Sequence, residues 1–192
     1  VLVRVEDSKG RDFQCEVTTL RKDGGYTDGR RPDNVTFGKD IAEDLARRDF
    51  TINAMAIEPM KGLVGVECPS GKLIDLDGRG VKDLESGLLS TVGQAEKRIA
   101  EDGLRIVRAF RFLDLGEGGL REFDPELSIA ISSNLSMLSK VSSKERIWNE
   151  LQRILSCSNS MRIVESMVEH GIFEEILPGI SINTNTNQSG DH

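Results

Sequence analysis

In the stretch Glu101-Asp102-Gly103-Leu104-Arg105-Ile106-Val107-Arg108-Ala109-Phe110-Arg111-Phe112, Asp102, Arg105, Arg108 and Arg111 recur every three residues. On a helix that spacing makes a slanting ridge along one side. Leu104, Ile106, Val107, Ala109 and Phe110 cover the remainder. Three neighbouring guanidiniums repel one another unless anions sit between them. Two arrangements meet that need: ion pairs with Glu101, Asp102 and other acids across a domain interface, or a clamp on phosphates. The Asp102/Arg105 pair also sets a carboxylate acceptor beside a guanidinium donor. Cytosine and adenine each present an amino donor next to a ring-nitrogen acceptor on the Watson–Crick edge. Guanine and uracil present the reverse, so one Asp/Arg fork accepts C and A and disfavours G and U.

A second group is Arg47-Arg48-Asp49-Phe50-Thr51-Ile52-Asn53-Ala54. Basic residues in a last helical turn suit the helix dipole. That explains Arg47 and Arg48 but not Asn53, which interrupts an apolar run. A buried Asn needs partners, so Asn53 is an internal clip or a ligand contact. Glu16 lies among strand formers, where an outward-facing charge on a half-buried strand is expected. Asp75-Leu76-Asp77-Gly78 alternates like a calcium loop but lacks the glutamate at its twelfth position. A turn clipped by Asp side chains fits better.

Composition narrows the chemistry. The chain has 192 residues, 25 Lys+Arg and 32 Asp+Glu, for a net charge of −7. A polyanion must therefore bind a local basic site rather than a generally basic face. With only His170 and His192, a histidine triad or a multi-His metal site is excluded, which leaves carboxylates and arginines. Cys15, Cys68 and Cys157 show no zinc or CxxC spacing and point to a reducing compartment. No apolar run approaches the ~18 residues of a membrane helix. The charged N-terminus VLVRVEDSKGR is not a signal peptide.

The elements that must hold these groups follow from pattern. Residues 1–20 read as a hairpin. Residues 21–38, with four glycines and Arg21, Arg30 and Arg31, read as a long basic loop. Asp40 and Glu43 open a helix with a capping box. Leu63–Val66 and Lys72–Asp75 suggest a second hairpin, and Val81–Ser86 a helical turn. From residue 95 the pattern is helical: Lys97–Leu113 as one helix, a start at Asp124-Pro125, a capping box at Ser142/Glu145, and a last helix from Asn159 or Ser160 to Gly171. The expected class is α+β: an α/β unit over 1–94, a helical unit over 95–180 and a polar, disordered tail over 181–192.

RRDFTINAMAI (47–57), LIDLDGRGVKDL (73–84), EDGLRIVRAFRF (101–112) and SSKERIWNEL (142–151), in that order, resemble the bacterial-type CCA-adding enzyme and poly(A) polymerase family of nucleotidyltransferases. CEVTTLR…YTDGRRPDNVTF (15–37) fits the same family just upstream. The resemblance implies a nucleotidyltransferase head, here partial, with a mixed or antiparallel sheet, followed by a helical neck. It implies that Asp102 and Arg105 read the incoming base and that Arg108 and Arg111 hold its triphosphate. Arg48, with Arg47 and Asn53 nearby, would line the nucleotide site. Glu16 would be the family's third catalytic carboxylate, and loop 21–38 the segment that helps switch from C to A addition. Gly103 stands where the family usually has alanine or proline, which would loosen the helix start.

The implied reaction adds CMP and AMP from CTP and ATP to a tRNA 3′ end without a nucleic-acid template, using Mg²⁺. The implied location is the cytoplasm or an organelle of bacterial origin. The family's Gly-Gly turn and metal-binding Asp-x-Asp strand have no counterpart in the stretch beginning at Val1. Asp75-Leu76-Asp77 is not that pair, because it follows RRDFTINA. The chain therefore reads as a fragment that is inactive alone, with its Mg²⁺ ligands mostly elsewhere. A poly(A) polymerase and a C-only or A-only enzyme share the motifs. A non-catalytic nucleotide- or RNA-binding remnant is the alternative of another kind.

Overall fold

Strand alternation at the N-terminus produces a hairpin with two unlike faces. In the computed structural model, which describes residues 1–6, 9–23, 35–38, 40–59, 71–141 and 143–177, β1 (Leu2–Glu6) pairs antiparallel with β2 (Asp12–Glu16). Val3 lies opposite Cys15 and Val5 opposite Phe13, so these four side chains share one face. Arg4, Glu6, Asp12, Gln14 and Glu16 take the other, together with Leu2 at its end. A short pair, β3 (Arg21–Asp23) with β4 (Val35–Phe37), follows. The middle of the expected switch loop, 24–34, lies outside the described residues, as do 60–70 and the polar tail 181–192.

Helix α1 (Ile41–Ala46) starts where Asp40 accepts from the Ala42 amide at 2.8 Å. A 3-10 turn, Thr51–Asn53, leads into β5 (Met55–Pro59). β6 (Gly71–Asp75) pairs antiparallel with β5; its expected partner, residues 63–66, lies outside the described residues. Alternation over 55–59 was hidden because the apolar run Ile52–Ile57 has no polar residue besides Asn53 to mark a strand face. Both carboxylate oxygens of Asp75 accept backbone amides, from Gly80 and Val81 at 2.9 Å each, and so start α2 (Arg79–Ser86). This is the expected clipped turn.

The expected single helix over 97–113 is two. α3 (Ala95–Glu101) and α4 (Leu104–Arg111) break at Asp102-Gly103. Asp102 Oδ1 accepts from the Leu104 amide at 3.0 Å, so its side chain competes with helix continuation and restarts the next helix instead. Gly103 is not loose. A Cβ there would lie 2.5 Å from the Met137 carbonyl oxygen, so backbone closes on backbone at the break.

Between the helices, β7 (Leu88–Leu89) pairs parallel with β8 (Glu122–Phe123). Asp124 caps α5 (Pro125–Ser133) through the Glu126 amide, as its Asp-Pro start predicts. α6 (Lys144–Leu155) follows Ser143; the expected capping residue Ser142 lies outside the described residues. α7 (Ser160–Glu169) ends before Gly171, which at φ 69° opens an unexpected last helix, α8 (Ile172–Ile176). The core joins Phe50 and Leu89 to Ile99, Ile106, Val107, Phe110, Leu127, Ile131, Ile154, Ile163 and Met167. Phe50 thus anchors the Arg47–Asn53 segment to α4. Helices with small, mostly antiparallel sheets make the chain α+β.

Candidate active-site cleft

The end of α1, the N-terminal part of α4 and the start of α6 converge on an open cleft of about 590 Å³. Glu16, Thr18, Arg47, Arg48, Asp49 and Asn53 line one side; Asp102, Leu104, Arg105, Arg108, Phe112 and Arg146 line the other. Five arginines face three carboxylates, a local positive excess in a chain of net charge −7. Glu16, Arg47, Arg48, Asn53, Asp102, Arg105 and Arg108, all singled out in the sequence, meet here. Arg111 does not line the cleft. Its Nε donates to Glu150 at 2.6 Å and its guanidinium lies 4.0 Å over the Phe112 ring.

Local chemistry fixes each group. Asp44, buried in α1, binds Arg47 at 2.6 Å, Arg48 at 3.4 Å and the Arg21 amide at 3.2 Å. Burial alone would raise its pKa, yet the hydrogen bonds from Arg47 and Arg21 and the charges of Arg47 and Arg48 bring it below the usual value. Arg48 also donates to the Asn53 carbonyl at 3.1 Å. The Asn53 amide donates to Asp49 at 3.3 Å, so Asn53 is an internal clip that also borders the cleft. Asp49 accepts from Arg108 through Nε at 2.8 Å and through Nη2, and from the Phe50 amide at 2.9 Å. Burial opposes its charge, and the Arg108 guanidinium outweighs burial, so its carboxyl sits below the usual range. Arg108 is correspondingly held above its usual value, against its own burial, by Asp49 and Glu150.

The side chains of Asp102 and Arg105 both reach the cleft without bonding each other; the Arg105 amide donates to the Asp102 carbonyl at 2.9 Å. Asp102 Oδ2 accepts from Arg146 Nη2 at 2.7 Å. Arg105, only 9% exposed, donates through Nη1 to Glu101 and to the Arg98 carbonyl, the latter at 2.6 Å. Each arginine of the ridge therefore has an acidic partner: Glu101 for Arg105, Asp49 for Arg108 and Glu150 for Arg111. Cleft and ion-pair network coexist on the same residues. Glu16, at the exposed end of β2, borders the cleft from the polar hairpin face.

Sequence reasoning missed three participants. Asp49, Arg146 and Glu150 carry the contacts that orient the ridge. Glu150 shares the inward face of α6 with the buried Ile147 and Ile154, three before it and four after it. A charge at a position that should be apolar was the available signal. Among the described residues, no cluster of three or more His, Cys, Asp or Glu could hold a metal ion. No helix of the described residues is long and apolar enough to cross a membrane.

Comparisons with known proteins bear on the family and the fold. Residues 2–90 match a poly A polymerase head domain, and residues 122–183 match a probable RNA and SrmB-binding site of polymerase A. The chain is 42% identical over 165 residues to the CCA-adding enzyme of Lactobacillus johnsonii, covering 85% of this chain and 37% of that protein. It superposes on the Bacillus stearothermophilus CCA-adding enzyme in complex with CTP with a TM-score of 0.69 at 32% identity, over 94% of this chain and 38% of that one. A tRNA nucleotidyltransferase complexed with a primer tRNA and an incoming ATP analog gives a TM-score of 0.62 at 32% identity, over 75% of this chain and 39% of that one. The chain thus spans under two-fifths of the length of each of these three proteins.

Proposed function

The chain belongs to the nucleotidyltransferase family of bacterial-type CCA-adding enzymes and poly(A) polymerases, and from that premise we propose that it is the head-and-neck part of a tRNA nucleotidyltransferase, divided near residue 94. The whole enzyme adds CMP and AMP to the tRNA 3′ end from CTP and ATP, in the cytoplasm. The terminal 3′-hydroxyl gives up its proton as its oxygen bonds to the α-phosphorus, and the bond from that phosphorus to the oxygen bridging to the β-phosphate breaks, releasing pyrophosphate. The observation that carries this reading is the cleft that gathers Arg47, Arg48, Asn53, Asp102, Arg105 and Arg108.

In this reading Asp102 accepts from the amino group of C or A and Arg105 donates to the neighbouring ring nitrogen. Arg108 grips the triphosphate, exchanging Asp49 for phosphate oxygens. Arg111 supports the same charge from behind, through Phe112 and Glu150. Arg48 and Asn53 border the sugar. Mg²⁺ would neutralise phosphate charge and activate the 3′-hydroxyl when bound. Of the three cleft carboxylates, Asp49 is bound by Arg108 and Asp102 by Arg146, which leaves Glu16 toward such a metal, too few ligands for a two-metal site.

Calorimetry of the chain with CTP, ATP, GTP and UTP tests the reading. CTP and ATP should bind in preference to GTP and UTP. Asp102→Ala should flatten that preference and Arg105→Ala should remove most of the affinity. No binding of any nucleotide, or an unchanged preference in Asp102→Ala, refutes it. Supplying the longer enzyme with a tRNA lacking its 3′ end and one nucleotide at a time separates the family's activities. Long A tails from ATP alone would make it a poly(A) polymerase.

A further inference from the structure

Arg98 does not itself line the cleft, yet its guanidinium is engaged on several sides. Nε donates to the Val92 carbonyl at 3.0 Å, and Nη2 to the Ala46 carbonyl at 2.8 Å. Nη1 donates to the Arg47 carbonyl at 3.2 Å and to Glu101 at 3.0 Å. Ala46 and Arg47 end α1, where carbonyls lack helical partners and partial negative charge collects. α1 has no basic residue in its own last turn, so α3 supplies the cation across the structure. The Arg98 main chain faces the other way. Its carbonyl accepts from Arg105 Nη1 at 2.6 Å, and Glu101 is shared between Arg98 and Arg105. One residue therefore grips the helix end that delivers Arg47 and Arg48 to the cleft, and the arginine that faces them.

We propose that Arg98 is a positioning residue that sets the Arg105 guanidinium against the Arg47–Arg48 end of α1, and that discrimination between bases depends on this strut. The inference rests on the proposed nucleotide site. The side chain of Arg98 is 13% exposed and borders a different cavity, of about 380 Å³, together with Thr51, Thr91 and Gln94. Its effect on nucleotide is therefore indirect. A lysine keeps the charge but has one nitrogen, which cannot span three carbonyls and a carboxylate lying in different directions. With the strut loosened, Arg105 remains a cation and still attracts phosphate. Its direction relative to a base edge is what changes, and direction is what separates C and A from U and G.

The test uses this chain with Arg98→Lys and, as a second variant, Glu101→Gln, which cuts the shared carboxylate and leaves the grip on α1. Binding of CTP, ATP, UTP, GTP and inorganic tripolyphosphate is measured by calorimetry, with urea melts alongside. In both variants the CTP-over-UTP preference should fall by about tenfold, while tripolyphosphate affinity stays within about twofold. A purely structural role would weaken all five ligands together, in step with the folded fraction, and would overturn the proposal. A selective wild-type chain whose variants are equally selective overturns the strut alone. A wild-type chain that binds no nucleotide overturns the proposed function and the strut with it.

Discussion

Arg108 and Asp49 stand 59 positions apart in sequence and meet through two nitrogens on one carboxylate oxygen. The pair joins α4 to the segment after α1 at the floor of the cleft. It gives Arg108 an anion before any phosphate arrives. A guanidinium held this way is already desolvated and aimed, so phosphate binding exchanges one anion for another rather than ordering a free side chain.

Removing Asp49 leaves Arg108 with its weaker contact to Glu150, at 3.4 Å, and the face of the Phe112 ring, 5.5 Å away. Asp49→Ala should therefore cost about 3 kcal/mol at neutral pH, measured by urea melts. Asp49 is held below the usual aspartate value of 3.8 in the folded chain. Its contribution is complete above that value and is lost as pH falls through the lower, folded value. Wild-type stability should drop more steeply below about pH 4 than that of Asp49→Asn. Parallel acid limbs in the two proteins would remove Asp49 from the acid response.

Gly103 carries a backbone-to-backbone approach, not flexibility. Its φ of −56° suits any residue, so the constraint is space: a Cβ would lie 2.5 Å from the Met137 oxygen. Gly103→Ala should destabilise the chain by about 2 kcal/mol, because main chain cannot rotate away. A variant as stable as wild type, by thermal melt, would show that the 135–137 turn shifts freely.

Element types were largely readable, and their joints were not. Asp40, Asp124 and Gly171 mark real helix boundaries because each acts through its own neighbours. The break at Asp102 escaped notice because the three-residue spacing runs straight across it, and only the Leu104 amide bond shows that Asp102 lies outside α4. The ridge could be read as ion pairs or as a phosphate clamp, and the fold makes both from the same residues. Their partners Asp49 and Glu150 come from elements far away in sequence, which local spacing cannot reveal. Nothing in the sequence singles out Arg98, because a carbonyl partner leaves no trace in composition.

Arg146 and Asp102 form a second long-range pair, 44 positions apart, that ties α6 to the break before α4. The Asp102 side chain is 14% exposed and that of Arg146 30%, so water screens the pair only partly. A double-mutant cycle of Arg146→Ala and Asp102→Ala should give a coupling of about 1 kcal/mol in urea melts. Strict additivity would mean that the bond contributes nothing to stability.

Arg108 and Arg111 are one turn apart on α4 but differ in what they face. Arg108 borders the cleft; Arg111 lies over Phe112 and against Glu150. Phosphate can reach Arg108 by displacing Asp49, whereas reaching Arg111 also requires it to leave the buried Glu150 and the aromatic face. Arg108→Ala should thus weaken CTP binding by about 100-fold, within the range of a lost charge-assisted contact. Arg111→Ala should weaken it by about tenfold or less, acting through the placement of Phe112 and Glu150. Calorimetry with CTP and with cytidine separates the two effects, since cytidine lacks the phosphates and should bind both variants alike. Equal losses of CTP affinity would mean that Arg111 swings from Glu150 onto the triphosphate, and the phosphate clamp would then include both arginines.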